Sequence, residues 1–111
     1  MVLTHCIKNR ICTIHIEGEM IFDTTPKIKA YFTQVQADKT LQGFIIDFQN
    51  ITYLDSSGAS LLLFLFRTLK DQKIKMAVCQ LNKDLSWQFE KNRLNQIIAC
   101  YSTEEKALAS F

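Results

Sequence analysis

The spacing of apolar positions changes several times along this chain, and each change predicts a new element. Thr4 to Ile7 and Ile11 to Ile16 are short runs rich in β-branched residues, parted by Lys8-Asn9-Arg10, and they predict a hairpin. In the second run Cys12, Ile14 and Ile16 share one face while Thr13 and His15 share the other, so one side is buried and the other wetter. His15 reads as a sheet-surface histidine. Gly18 and Glu19 end this strand. Asp23-Thr24-Thr25-Pro26 then predicts a helix start, with Thr25 as cap and Pro26 in the first helical position. Ile28, Tyr31, Phe32 and Val35 recur at three- and four-residue spacing as far as Asp38.

Phe44 to Phe48 predicts a central strand, apolar on both faces apart from Asp47, as expected when helices and strands cover it. A helix from Ser57 to Lys70 follows, and its segment Leu61 to Phe66 is apolar all round and predicted as core. Ile74 to Cys79 predicts another strand, Leu85 and Phe89 a short helix starting after Asn82 or Asp84, and Gln96 to Cys100 a last strand. Ser102-Thr103-Glu104-Glu105 has capping-box spacing and opens a terminal helix through Leu108 to Phe111. The order β-β-α-β-α-β-α-β-α predicts an α/β fold, with a mixed, mostly parallel sheet of four to five strands and about four helices. Ligands and partners of such folds gather at the carboxyl ends of the parallel strands. Ser56 lies just past one of those ends.

A length of 111 residues suits a single domain, 1–111, with one core. The 48% hydrophobic and 22% charged residues match a soluble globular chain. The net charge of +2 comes from scattered basic and acidic residues, which excludes the concentrated basic face of a direct nucleic-acid binder. Met1 to Cys6 lacks the basic start and long apolar stretch of a signal peptide, and Leu61 to Phe66 is far short of the ~20 apolar residues that cross a bilayer. A cytoplasmic chain with no membrane insertion is the expectation. Cys6, Cys12, Cys79 and Cys100 show no C-x-x-C spacing, and with His5 and His15 they match no standard zinc pattern, so no metal and no cofactor is expected. A turn centred on Asn9 would set Cys6 opposite Cys12.

Leu54-Asp55-Ser56-Ser57-Gly58 is the stretch most suited to chemistry. Aspartate and serine oxygens accept hydrogen bonds from the orphan N–H groups of a first helical turn, and Gly58 would let a partner approach the backbone closely. Nucleophilic catalysis is not supported: there is no G-x-S-x-G elbow, and both histidines lie in the amino-terminal hairpin. A glycine-rich phosphate loop is also missing. The chain is not expected to be an enzyme.

Phe44 to Phe48 followed by Tyr53-Leu54-Asp55-Ser56-Ser57-Gly58 resembles the core motif of the STAS domain of bacterial anti-sigma factor antagonists. Gly18-Glu19, Met76 to Cys79 and Glu104 to Leu108 fall where that family has similar elements, so the resemblance covers almost the whole chain. It implies a single STAS-like domain and a phosphorylation switch. Ser56 would be phosphorylated by a partner kinase that is also an anti-sigma factor. The unphosphorylated chain would bind that kinase and free the sigma factor, and a serine/threonine phosphatase would reset it. Asp23, Thr24, Leu54, Asp55, Ser57 and Gly58 are the expected partner contacts, because the loops after Gly18-Glu19 and at Asp55-Ser56 should be neighbours. One departure is that Met20-Ile21-Phe22 stands where antagonists of this family carry an acidic residue, a feature more similar to STAS domains attached to anion transporters. The alternative is therefore an assembly subunit or regulator of a membrane transporter complex, without a phosphorylation cycle.

Overall fold

Two consecutive left-handed residues, Asn9 (φ 51°) and Arg10 (φ 66°), reverse the chain in the computed structural model, which describes residues 1–111. Positive φ at both central positions makes a type I′ turn, whose twist suits the strands it joins. Those strands are β1 (Val2–Lys8) and β2 (Ile11–Met20), paired antiparallel with Lys8 opposite Ile11. The expected opposition of Cys6 and Cys12 is corrected by this register. A two-residue turn sets Cys6 opposite Thr13 and Ile7 opposite Cys12, so the two thiols lie on opposite faces. All four cysteines are free.

β2 does not stop at Gly18. A register irregularity between Gly18 (φ 131°) and Glu19 kinks the strand, and it changes partner there. Ile11 to His15 run parallel to β3 (Gly43–Asp47), whereas Gly18 to Met20 run parallel to β4 (Ile51–Leu54). β4 is a sixth strand that the apolar spacing does not reveal, because its ends Ile51 and Leu54 are buried and its middle residues Thr52 and Tyr53 exposed. With β5 (Lys75–Cys79) and β6 (Ala99–Tyr101) the main sheet has the order β1-β2-β3-β5-β6, parallel except at β1.

Alternation along the strands sends Cys12, Ile14, Ile16, Phe44, Ile46, Met76 and Val78 to one face. There they pack with α1 (Thr25–Gln36), α2 (Ser56–Asp71) and α3 (Lys83–Lys91) in the principal core. Phe32 of α1 meets Phe44, and Phe89 of α3 meets Phe48 edge-on at 5.4 Å between ring centres. The opposite face carries Ile11, Ile45 and Cys79 under Ala107 of α4 (Glu104–Ala109). Several predicted element ends shift. Thr24, not Thr25, precedes α1, so Pro26 is the second helical residue. Thr103 rather than Ser102 caps α4, its Oγ accepting from Lys106 N–H at 3.1 Å. A 3₁₀ turn at Leu94–Gln96 delays the last strand to Ala99. Past α4 the Phe111 ring lies on Gly43, where any Cβ would collide with it.

α2 ends in a Schellman arrangement: Ile74 N–H donates to Leu69 O and Lys73 N–H to Lys70 O, both at 2.9 Å, with Lys73 at φ 60°. A lysine in this left-handed position is strained, and glycine is not. Lys73→Gly should therefore raise stability by about 0.5–1 kcal/mol, because the relief of strain exceeds the added freedom of the unfolded chain. Urea titration should show a higher midpoint with an unchanged slope.

Candidate functional site

Parallel pairing of the tail of β2 with β4 matches Glu19 to Tyr53 and Met20 to Leu54, so the segments leaving the two strands emerge side by side. Asp55 then joins them. Its N–H donates to Met20 O at 3.2 Å, its Oδ1 accepts from Gly58 N–H at 2.9 Å, and its Oδ2 accepts from Phe22 N–H at 3.0 Å. One carboxylate thus caps α2 and ties down the loop before α1. The expected proximity of the two loops is what the structure has.

Ser56 is the first residue of α2; it is exposed, and its hydroxyl has no partner within the chain. The first turn of α2 contains no acidic side chain, so the positive end of the helix is offset only by its cap, Asp55. Ser57 is half-buried and points elsewhere. With Thr25, Pro26, Lys29, Ser60 and Phe64 it lines a groove of about 430 Å³ between α1 and α2. Lys29 Nζ stands 4.1 Å from the centre of the Phe64 ring there.

The remaining predicted contact residues divide by exposure. Asp23 is exposed. The Thr24 hydroxyl closes its own loop, lying 2.7 Å from Glu19 O as donor and accepting from Ile21 N–H at 3.0 Å. Leu54 and Gly58 are buried. The open backbone expected at Gly58 is therefore corrected: a Cβ there would strike Met20 O and Leu54 Cδ1, so the missing side chain makes room for β2. Both residues can shape the site but present no side chain to a partner.

Exposed apolar side chains were the less legible part. Met20 is fully buried and Ile21 half-buried, but Phe22 is 74% exposed, so the Met20-Ile21-Phe22 segment splits between core and surface. Phe64 is 44% exposed, which corrects the reading of Leu61 to Phe66 as uniform core. The signal lay in Ser56, Ser60 and Phe64, spaced four apart on one helical stripe whose serines mark it as solvent-facing. Tyr53 and Trp87 are also exposed, and both border a smaller cleft between β4 and α3.

A second polar cluster lies on the sheet face covered by α4. Asp47 is buried, and its Oδ2 takes the Nδ1 of His15 at 2.9 Å, while its Oδ1 accepts from Gln49 N–H at 2.9 Å and Gln80 Nε2 at 3.1 Å. His15 Nε2 is 3.6 Å from Glu104 Oε1 of α4. Burial first, and then Asp47 and Glu104, push the Cys79 thiol up to about 12. Both carboxylate oxygens of Asp47 have partners, so this cluster ties β3 to β2 and to the residue after β5, with Glu104 of α4 close by. No three His, Cys, Asp or Glu side chains are grouped to hold a metal ion.

The geometry around Asp55 can be tested by stability. Asp55→Ala removes the cap of α2 and leaves Phe22 N–H without its acceptor, which should cost about 1–3 kcal/mol. Gly58→Ala should cost a similar amount by overpacking against Met20. Thermal melts followed by circular dichroism should show both losses, and a Gly58→Ala protein as stable as wild type would contradict the close approach.

Among solved structures, the chain is similar to an anti-sigma factor antagonist from Mycobacterium paratuberculosis, with a TM-score of 0.88 at 18% identity over 98% of this chain and 92% of that one. It is also similar to the Bacillus cell fate determinant SpoIIAA in its phosphorylated form, with a TM-score of 0.73 at 19% identity over 98% of each chain. Among relatives, it is 20% identical to the anti-sigma F factor antagonist of Paenibacillus polymyxa over 88% of this chain and 84% of that protein. At these identities the structural likenesses establish the fold. The STAS domain family model matches residues 6–107, which hold all or part of every strand and helix, and the chain belongs to the STAS domain family.

Proposed function

We propose that this chain is an anti-sigma factor antagonist of the partner-switching kind, binding an anti-sigma serine kinase while Ser56 carries no phosphate. Phosphorylation of Ser56 releases the kinase, and a serine/threonine phosphatase restores binding. The chain is a cytoplasmic binding module in this reading and catalyses nothing itself; no helix is long and apolar enough to cross a membrane. The observation that carries the proposal is the state of Ser56: an exposed, unpartnered hydroxyl on the first residue of a 16-residue helix, next to Asp55, which caps that helix with one oxygen and holds the loop before α1 with the other. The names of relatives at similar coverage, an antagonist and a phosphorylated cell fate determinant, support it.

Phosphorylation would add about −1.5 to −2 charges where a helix dipole favours them. The fold should survive while the surface changes sign. Asp23, Asp55, Ser57 and the exposed Phe22 and Phe64 rings form the surface that a partner covering Ser56 would touch. Thr24, Leu54 and Gly58 support it from beneath.

Incubation with the cognate kinase and ATP should place phosphate on Ser56 in peptide mapping, and label confined to Ser57, Thr24 or Thr25 would sink the assignment. Ser56→Asp should weaken kinase binding at least about tenfold in titration calorimetry, which is about 1.4 kcal/mol. Its unfolding free energy should stay within about 1 kcal/mol of wild type. Equal affinity for both proteins would instead support constitutive docking of the transporter-subunit kind, for which the 74% exposed Phe22 is the natural anchor.

A further inference from the structure

β1 is the outer strand of the sheet, and no backbone hydrogen bond outside its ladder with β2 involves any residue from Val2 to Lys8. In a two-residue type I′ hairpin the closing pair, here Lys8 and Ile11, is hydrogen-bonded, and bonded pairs alternate from it. Lys8, Cys6, Thr4 and Val2 therefore turn their N–H and C=O groups toward β2, and Leu3, His5 and Ile7 turn theirs outward. Edge strands are usually blunted by proline, a bulge, extreme shortness or an inward charge. β1 has seven residues in unbroken register, no proline, and a lysine only at its end. The opposite edge, β6, has three residues and fits the usual pattern.

We propose that two copies of this chain associate by antiparallel pairing of their β1 edges about a two-fold axis at His5, joining the two sheets into one. The sequence of β1 matches itself in this register. His5 faces His5, and Leu3 faces Ile7 of the second copy, so all three outward-turned residues of each chain gain partners in six new backbone bonds. Leu3 and Ile7 share the face bearing the core helices, since they pair with Ile16 and Cys12. Ile7, 46% exposed, lines a groove of about 270 Å³ with His5, Tyr31 and Val35, and Leu3 of the second copy comes to lie beside it. On the other face Thr4 meets Cys6, and Lys8 meets Val2, so the two lysines end up at opposite ends of the junction. A parallel arrangement would set Lys8 against Lys8. The joined strands are about 23 Å long, a contact below the standard interface size, and the association is weak and reversible. It leaves the Ser56 surface free, because β4 lies on the other side of β2.

Sedimentation of the wild-type chain from about 5 μM to about 1 mM, with amide exchange by NMR at both ends of that range, tests the proposal. The expected result is a weight-average mass that rises toward twice the monomer. The Leu3, His5 and Ile7 amides should exchange at least about tenfold more slowly at the high concentration, and the Thr4, Cys6 and Lys8 amides should be protected throughout. His5→Pro removes an outward N–H and no bond of the β1–β2 ladder, so it should abolish association while keeping the wild-type circular dichroism. A monomer at every concentration overturns the proposal, as does a dimer in which those three amides stay unprotected, or a folded His5→Pro protein that dimerises like wild type. If His5→Pro fails to fold, the exchange pattern of the wild type alone decides.

Discussion

The amino end of α2 lies so close to the end of β2 that position 58 has no room for a Cβ beside the Met20 carbonyl. That approach positions the segments that leave β2 and β4. It requires β2 to leave β3 and continue beside β4, which the kink at Gly18 allows, and it brings Met20 O within reach of Asp55 N–H. Once the two backbones are this close, Asp55 can satisfy Gly58 N–H with one oxygen and Phe22 N–H with the other. Ser56, the next residue, is exposed on the first turn of α2, and its hydroxyl makes no hydrogen bond within the chain.

On the reverse face a different interaction performs the same kind of fastening. Asp47 stands where β3 ends, and its partners come from β2, from the turn after β3 and from the residue after β5. Gln80 reaches it from a left-handed backbone (φ 61°), an arrangement that costs free energy locally and is retained by the buried carboxylate it satisfies. His15, read from the sequence as a surface histidine, is bonded to this acid and stands near Glu104 of α4.

Much of this was legible because the relevant physics is local. The three- and four-residue spacing of Ile28, Phe32 and Val35 marks a helix with one buried face, and those three residues are its buried ones. Asp55 and Asn82 are good caps by side-chain chemistry alone, and both accept a first-turn N–H, while Asp84, the other start the sequence allowed, lies inside α3. What was not legible depends on tertiary neighbours. β4 has buried ends and an exposed middle, a pattern that matches neither strand alternation nor a fully buried strand. Gly58 resembles an open backbone until β2 is laid against it. The pairing of Cys6 was decided by one extra left-handed residue, Arg10, which a strand pattern does not encode. Ser56 stood out in the sequence by its place between a strand and a helix, and the structure adds that its hydroxyl is free.

Asp55 holds both the start of α2 and the loop before α1, and this bears on how a signal would be stored at Ser56. Many switches carry their message as geometry: a loop reorders, a helix tilts, and a distant surface changes. Here the loop before α1 is tied to Asp55 and the backbone at Gly58 is wedged between β2 and α2, so a group added at Ser56 would meet segments that are already held. The two states would then share one shape and differ in what a visiting surface meets, in bulk and in sign of charge. Such a device would be read only by contact, and its fidelity would depend on how closely the reader fits the site.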